Sequence, residues 1–224
     1  MIAASTYIST SGTPLAHPEG IVFVVDDDVS VRESVDLLVR SAGWDVVTFA
    51  TGAAFLSRVK VDAPSCLVLD AELPDMSGIE LHQRMARSGE GMPTVFVTGH
   101  GDIKMTVRAM KAGAVEFLTK PLVGEDLLEA VDQAIVRSQS ALVRDAHLRT
   151  LRARYDTLTP RERQVMGLVV SGLLNKQVAG ELGLSEITVK AHRGQVMRKM
   201  RVDSLADLVR VAAALDVPLL TRPH

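Results

Sequence analysis

Cysteine is nearly missing: the 224 residues contain one, Cys66, inside the apolar run CLVLD. One thiol excludes a disulfide framework within a chain and agrees with a reducing compartment, so a cytoplasmic protein is expected. Long hydrophobic runs are absent as well. No apolar stretch approaches the roughly 18 residues that a membrane span requires. The first twenty residues, MIAASTYISTSGTPLAHPEG, lack the basic start and apolar centre of a secretory signal. They hold little that could be buried, and residues 1–19 are expected to form a flexible tail.

What is present is ordinary in bulk, with 47% apolar and 23% charged residues, as in a globular protein. Charge is divided unevenly along the chain. Residues 1–150 carry 13 Lys and Arg against 20 Asp and Glu, whereas residues 151–224 carry 12 against 7. An acidic front and a basic back predict two domains, the second suited to nucleic acid.

In the front half, short β-branched runs alternate with amphipathic segments. IVFVV (21–25), WDVVTF (44–49), CLVLD (66–70), TVFVT (94–98) and VEFLT (115–119) read as strands. Helix-period segments lie between them; Val31, Val35, Leu38 and Val39 share a stripe, and Gly43 stands where that helix should stop. Five strands alternating with helices predict a parallel, doubly wound α/β sheet. Ligands of such sheets bind beyond the carboxyl ends of the strands. Asp26 and Asp27, Asp70, Thr98 and Lys120 all stand at those ends.

Each of these residues alone is an ordinary cap, turn or surface residue; their coincidence at one mouth of the sheet points to chemistry. Three carboxylates about 4 Å apart repel by roughly 1 kcal/mol per pair even in water. A divalent cation removes the conflict, and hard oxygen donors favour Mg²⁺. Asp70 can then act as a nucleophile towards phosphorus, with Lys120 and the Thr98 hydroxyl on the transferring oxygens. The third aspartate, Asp28, is expected to cap the following helix or to be solvated.

VVDDD, LDAELPDMSG, VFVTGHGD and EFLTKP resemble the motifs of response-regulator receiver domains, in order and spacing. The resemblance implies a CheY-like (flavodoxin-like) fold with Asp70 as phosphoacceptor. It makes Asp26, Asp27, Asp70 and the backbone carbonyl of Glu72 the Mg²⁺ ligands. Thr98 and Phe117 become the switch pair, Lys120 the phosphate-binding lysine, and Lys120–Pro121 a cis peptide. His100, next to the switch, is a candidate modulator of dephosphorylation. The receiver is assigned to residues 20–138.

Residues 139–156 read as a helical linker that continues the fifth receiver helix, with a break expected near Ser138–Ser140. Its second half is either a solvated spacer or a coiled-coil-like dimer contact. The DNA-binding domain is assigned to residues 157–224. Thr159, Pro160 and Glu162 in LTPRERQ form a helix start of the capping-box kind. GLLNKQVAGELGLSEITVKAHRGQVMRKM then reads as helix, Gly183 turn, helix, with Ser185 as cap and Val189, Val196 and Met200 inward. Thr188, Lys190, Arg193, Gly194, Met197 and Arg201 are expected on the outer face, as major-groove docking requires. Gly194, costly inside a helix, predicts close approach either to DNA or to a packed helix.

Residues 158–212 resemble the LuxR/NarL-type helix-turn-helix, and the pairing with a receiver resembles the FixJ-type response regulators. An all-α four-helix domain is implied, with Lys190, His192 and Arg193 at the DNA face, Asn175 and Lys176 near the backbone, and the last helix a dimer contact. The implied partners are a sensor histidine kinase, double-stranded DNA with two-fold symmetry, and a second copy on phosphorylation; no membrane is involved. The protein would be a transcription regulator, catalysing nothing beyond its own phosphorylation and dephosphorylation. Two other readings remain: a helix-turn-helix regulator governed by protein contacts alone, and an aspartyl-phosphate phosphatase using Glu72 as acid/base.

Overall fold

Successive side chains on a strand point to opposite faces, and that alternation builds the layers of the first half. The computed structural model describes residues 7–8, 14–15, 20–99 and 103–218, with side chains from residue 106 in the last stretch. Two short strands, β1 (Tyr7–Ile8) and β2 (Pro14–Leu15), pair antiparallel; the rest of the expected tail, and His100, lie outside the described residues. The main sheet contains β3 (Ile21–Val25), β4 (Asp45–Phe49), β5 (Ser65–Asp70), β6 (Thr94–Thr98) and β7 (Glu116–Thr119), all parallel, in the order β4-β3-β5-β6-β7. Each expected strand is present within one residue at its ends.

On one face, Val22, Val24, Cys66, Val68, Val95 and Val97 pack against α1 (Val29–Ser41) and the first half of α5 (Gly124–Asp156). On the other, Phe23, Val25, Leu67, Leu69 and Phe96 meet α2 (Gly52–Leu56), α3 (Gly78–Arg87) and α4 (Ile103–Lys111). The sheet is thus doubly wound. Cys66 is fully buried, which pushes its thiol up to about 12 and makes it inert packing. Strand order reverses beside β3, so the crevice for a ligand lies beyond the ends of β3 and β5.

The chain divides into two units, Met1–Leu142 and Val143–His224. Helix α5 crosses this boundary without the expected break near Ser138–Ser140. The physical reason lies at Ser138, which is buried and accepts the Ser65 N–H through Oγ at 2.9 Å. Residues 143–150 are exposed, and then Leu151 enters the core of the second unit with Tyr155 at its margin.

That second core is built by α6 (Pro160–Val170), α7 (Asn175–Leu182), α8 (Glu186–Met200) and α9 (Leu205–Ala214). Thr159 and Glu162 form the expected reciprocal capping box. Gly183 ends α7 at φ 65°, a left-handed conformation that glycine adopts without steric cost. Ser185 caps α8 by accepting the Thr188 N–H. Among the described residues, no helix is long and apolar enough to cross a membrane.

Candidate metal centre and nucleic-acid interface

Four strand ends deliver the site. Asp26 follows β3, Asp70 ends β5, Thr98 ends β6 and Lys120 follows β7. Asp26, Asp70 and Thr98 are buried at 3%, 7% and 0% exposure. Lys120 Nζ bridges two carboxylates, at 2.7 Å from Asp26 Oδ2 and 2.6 Å from Asp70 Oδ2. The remaining oxygens are held by the backbone: Asp28 N–H donates to Asp26 Oδ1 at 2.9 Å, and Glu72 N–H to Asp70 Oδ1 at 3.0 Å. Asp27, exposed at the rim, completes a group of three carboxylates whose ligand atoms lie within 4.8 Å of one another.

Electrostatics follow from crowding and burial. Burial pushes the Asp26 carboxyl above its ordinary value, against the lowering pull of its hydrogen bonds from Lys120 and the Asp28 N–H. Burial also works against the Lys120 charge, yet hydrogen bonds to Asp26 and Asp70 hold that ammonium above the ordinary lysine value. One ammonium among three carboxylates leaves the cluster anionic. Clustered carboxylate oxygens are a donor set for a hard divalent cation.

The surrounding chain fixes this geometry. Asp28 caps α1, its carboxylate accepting the Ser30 and Val31 N–H groups at 2.8 and 3.4 Å. The Lys120 N–H donates to the Thr98 carbonyl at 2.7 Å, and the Lys120–Pro121 peptide is cis. Phe117 is half-buried against the core that contains Phe96 and Ala109. Any side chain at Gly78 would press its Cβ to 2.3 Å from the Asp70 carbonyl oxygen, so the loop after β5 can close only on glycine.

Sequence reasoning missed two supports. Arg32 Nη1 donates to the backbone carbonyls of Asp26 and Asp27, at 2.7 and 2.9 Å, and so braces the acidic pair. Asp75 accepts the Gly52 and Ala53 N–H groups at 3.1 and 2.8 Å, fastening the loop after Asp70 to α2. Arg32 had a signal, as the first basic residue after the aspartates; Asp75 had none, because its partners stand more than twenty positions away.

In the second unit, α8 turns Val189, Val196 and Met200 inward, with 0–1% exposure. Lys190 and Gly194 face outward as expected, and Arg201 is exposed at the carboxyl end. Met197 does not: it packs against the core beside Val196, since the inner stripe of α8 is broader than three residues. Thr188 is half-buried, its hydroxyl 2.7 Å from that of Ser185. Arg193 is half-buried and donates to Asn175 Oδ1 at 3.2 Å, tying α8 to α7. His192 is half-buried and Lys176 exposed. An added Cβ at Gly194 would meet nothing within 4 Å, so helix packing does not explain that glycine.

The family comparisons agree with both halves. Residues 22–132 match the response regulator receiver domain, and residues 156–212 match the bacterial regulatory proteins of the luxR family. Nodulation protein W of Bradyrhizobium diazoefficiens is 50% identical over 202 residues, covering 90% of this chain and 89% of that protein. Response regulator protein TmoT of Ectopseudomonas mendocina is 45% identical over 197 residues, covering 88% and 90%. Among solved structures, the response regulator StyR superposes with TM-score 0.75 at 48% identity, over 87% of this chain and 98% of that one. Full-length FixJ from B. japonicum gives 0.53 at 38% identity, over 90% and 99%. A doubly wound sheet with an acidic mouth, followed by a capped helix-turn-helix and matched along most of its length by these relatives, places the chain among the FixJ-type transcriptional response regulators, with a receiver domain and a LuxR-family DNA-binding domain.

Proposed function

We propose that this regulator is switched by phosphorylation of Asp70, with the phosphohistidine of a sensor kinase as donor. The observation that carries the reading is the shared lysine: Lys120 Nζ lies within 2.7 Å of one oxygen of Asp26 and one of Asp70, beside Asp27. Asp70 Oδ2 attacks phosphorus; a P–O bond forms, the P–N bond breaks, and the imidazole nitrogen keeps the electron pair. Lys120 turns from the carboxylates to the transferred oxygens, and the Thr98 hydroxyl donates to the phosphoryl group.

Asp26, Asp27, Asp70 and the Glu72 carbonyl are the residues that would hold Mg²⁺. Bound there, the ion supplies charge neutralisation for the acidic cluster and the phosphoryl oxygens. Thr98 and Phe117 carry the change towards the surface of α4, β7 and α5. On that surface Val107 and Met110 are each 45% exposed, with Arg108 and Lys111 on α4 and Glu116, Asp126 and Glu129 on β7 and α5. Exposed apolar residues between opposite charges suit a second copy of the chain. Dimerisation then sets two α8 helices on a two-fold DNA site and raises affinity through effective concentration. Lys190, His192, Arg193 and Gly194 on α8, with Thr188, Asn175 and Lys176, form the DNA-facing set of this reading.

Incubation with phosphoramidate or acetyl phosphate in Mg²⁺ is the direct test. Intact-mass analysis should find one added phosphoryl group, absent after chelation and absent in Asp70→Asn. Equal labelling of Asp70→Asn would overturn the assignment.

A further inference from the structure

Ile187 is the second residue of α8 and is 82% exposed. Single exposed apolar residues are common, but this one has a context. Ile187, Ala191, Gly194 and Arg198 follow one another at i, i+4, i+7 and i+11, the spacing of one helix line, and all four are exposed. Lys190, also exposed, stands beside that line. Three other polar side chains on or near it are bonded within the unit. Thr188 is bonded to Ser185, Arg193 to Asn175, and Arg198 reaches back to Gln195.

The outward line of α8 therefore presents a branched aliphatic group, a methyl group and a bare backbone, ahead of Arg198 near the carboxyl end, whose guanidinium donates to Gln195. No packing partner demands this composition, because the space around Gly194 is open. Its complement is a surface that carries methyl groups between anionic walls. The major groove of B-DNA has that character where thymines lie, since the thymine C5-methyl projects into it while phosphates line its edges. The second unit supplies the matching charge, with 12 Lys and Arg against 7 Asp and Glu in residues 151–224.

We infer that Ile187 is a specificity-determining residue that reads thymine C5-methyl groups, while Ala191 and Gly194 let the backbone of α8 settle close to the groove floor. The inference rests on the reading of the second unit as a DNA-binding domain and adds which base is read, and how. The methyl group, rather than the thymine O4 acceptor, carries the discrimination, because Ile187 offers no hydrogen-bond donor on its side chain. Lys190 contributes phosphate attraction beside this contact and little sequence preference.

The experiment uses the full chain. Duplexes bound by the protein are selected from a randomised pool, and the enriched site is remade with deoxyuridine replacing each thymidine in turn. Removing one methyl at the contacted base should weaken wild-type binding about fourfold, the equivalent of one buried methylene. In Ile187→Ala the same replacement should cost nothing, while affinity for random-sequence duplex stays at the wild-type value. Thermal unfolding of Ile187→Ala should match wild type, because the side chain touches little in the free protein. As a second arm, Gly194→Ala should unfold at a higher temperature yet bind the enriched site more weakly. Deoxyuridine costing as much in Ile187→Ala as in wild type would overturn the inference and leave the DNA-binding reading standing. Absence of any enriched sequence would overturn both.

Discussion

Two buried carboxylates, one in each unit, are held by a lysine in nearly the same way and behave oppositely. Asp26 accepts Lys120 at 2.7 Å and Glu162 accepts Lys199 at 2.6 Å, with 3% and 5% exposure. Glu162 has the only carboxylate that Lys199 touches among the described residues; the other contact of that lysine is the Thr157 carbonyl at 3.1 Å. Glu162 Oε2 also accepts the Thr159 N–H at 2.8 Å. Burial works to raise Glu162, but the Lys199 and Thr159 hydrogen bonds bring it below the ordinary carboxylate value. Asp26 must share its lysine with Asp70, and there burial prevails and the carboxyl is pushed up. A carboxylate with its own lysine serves the fold, whereas two carboxylates on one lysine leave the cluster short of positive charge, a donor set that suits a hard cation.

The contrast is broken most directly at Glu162. Glu162→Ala strands Lys199 and leaves the Thr159 N–H without its carboxylate, so the second unit should lose about 2–3 kcal/mol in denaturant unfolding. Asp26→Asn should act the other way. It removes a poorly compensated buried charge and should raise the stability of the first unit by about 1 kcal/mol at neutral pH. Calorimetric titration of that variant should find Mg²⁺ affinity strongly reduced. Loss of stability in Asp26→Asn would sink the comparison.

Acid titration gives the smallest and most diagnostic effect. The folded-state value of Glu162 lies below its unfolded one, so its contribution is present above that unfolded value and is lost as pH falls through the folded one. The folded-state value of Asp26 lies above its unfolded one, so its penalty at neutral pH fades as pH falls through that range. Fluorescence of Trp44, the single tryptophan, buried in the first unit, reports that unit alone, while circular dichroism reports both. Denaturant midpoints from the two probes should separate as the solution is acidified, the second unit weakening first.

The parts legible in the sequence were those set by local pattern. Strands of the sheet follow from β-branched runs, and the starts of α6 and α8 from caps within three residues. Helix α2 escaped notice because five residues carry no periodicity and its amino end is held by distant Asp75. The break expected near Ser138–Ser140 failed for a similar reason: Ser65, far away in sequence, supplies a partner that keeps Ser138 inside. On α8, residue type suggested that polar groups point outward. Two hydrogen bonds hold Thr188 and Arg193 half-buried, and Ile187, an apolar residue, faces out. Asp26, Asp70, Thr98 and Lys120 were legible because parallel strands bring their carboxyl ends together whatever the loops between them do.

The pairing of β6 with β7 carries a consequence for how this chain tolerates insertions and deletions. Thr98 stands opposite Thr119, and the next residue, Lys120, returns its N–H to the Thr98 carbonyl. A single residue gained or lost inside either strand would turn the side chains beyond it to the other face of the sheet. A change of length should therefore be tolerated better in the connections between strands than inside β6 or β7, where it would part Lys120 from Thr98.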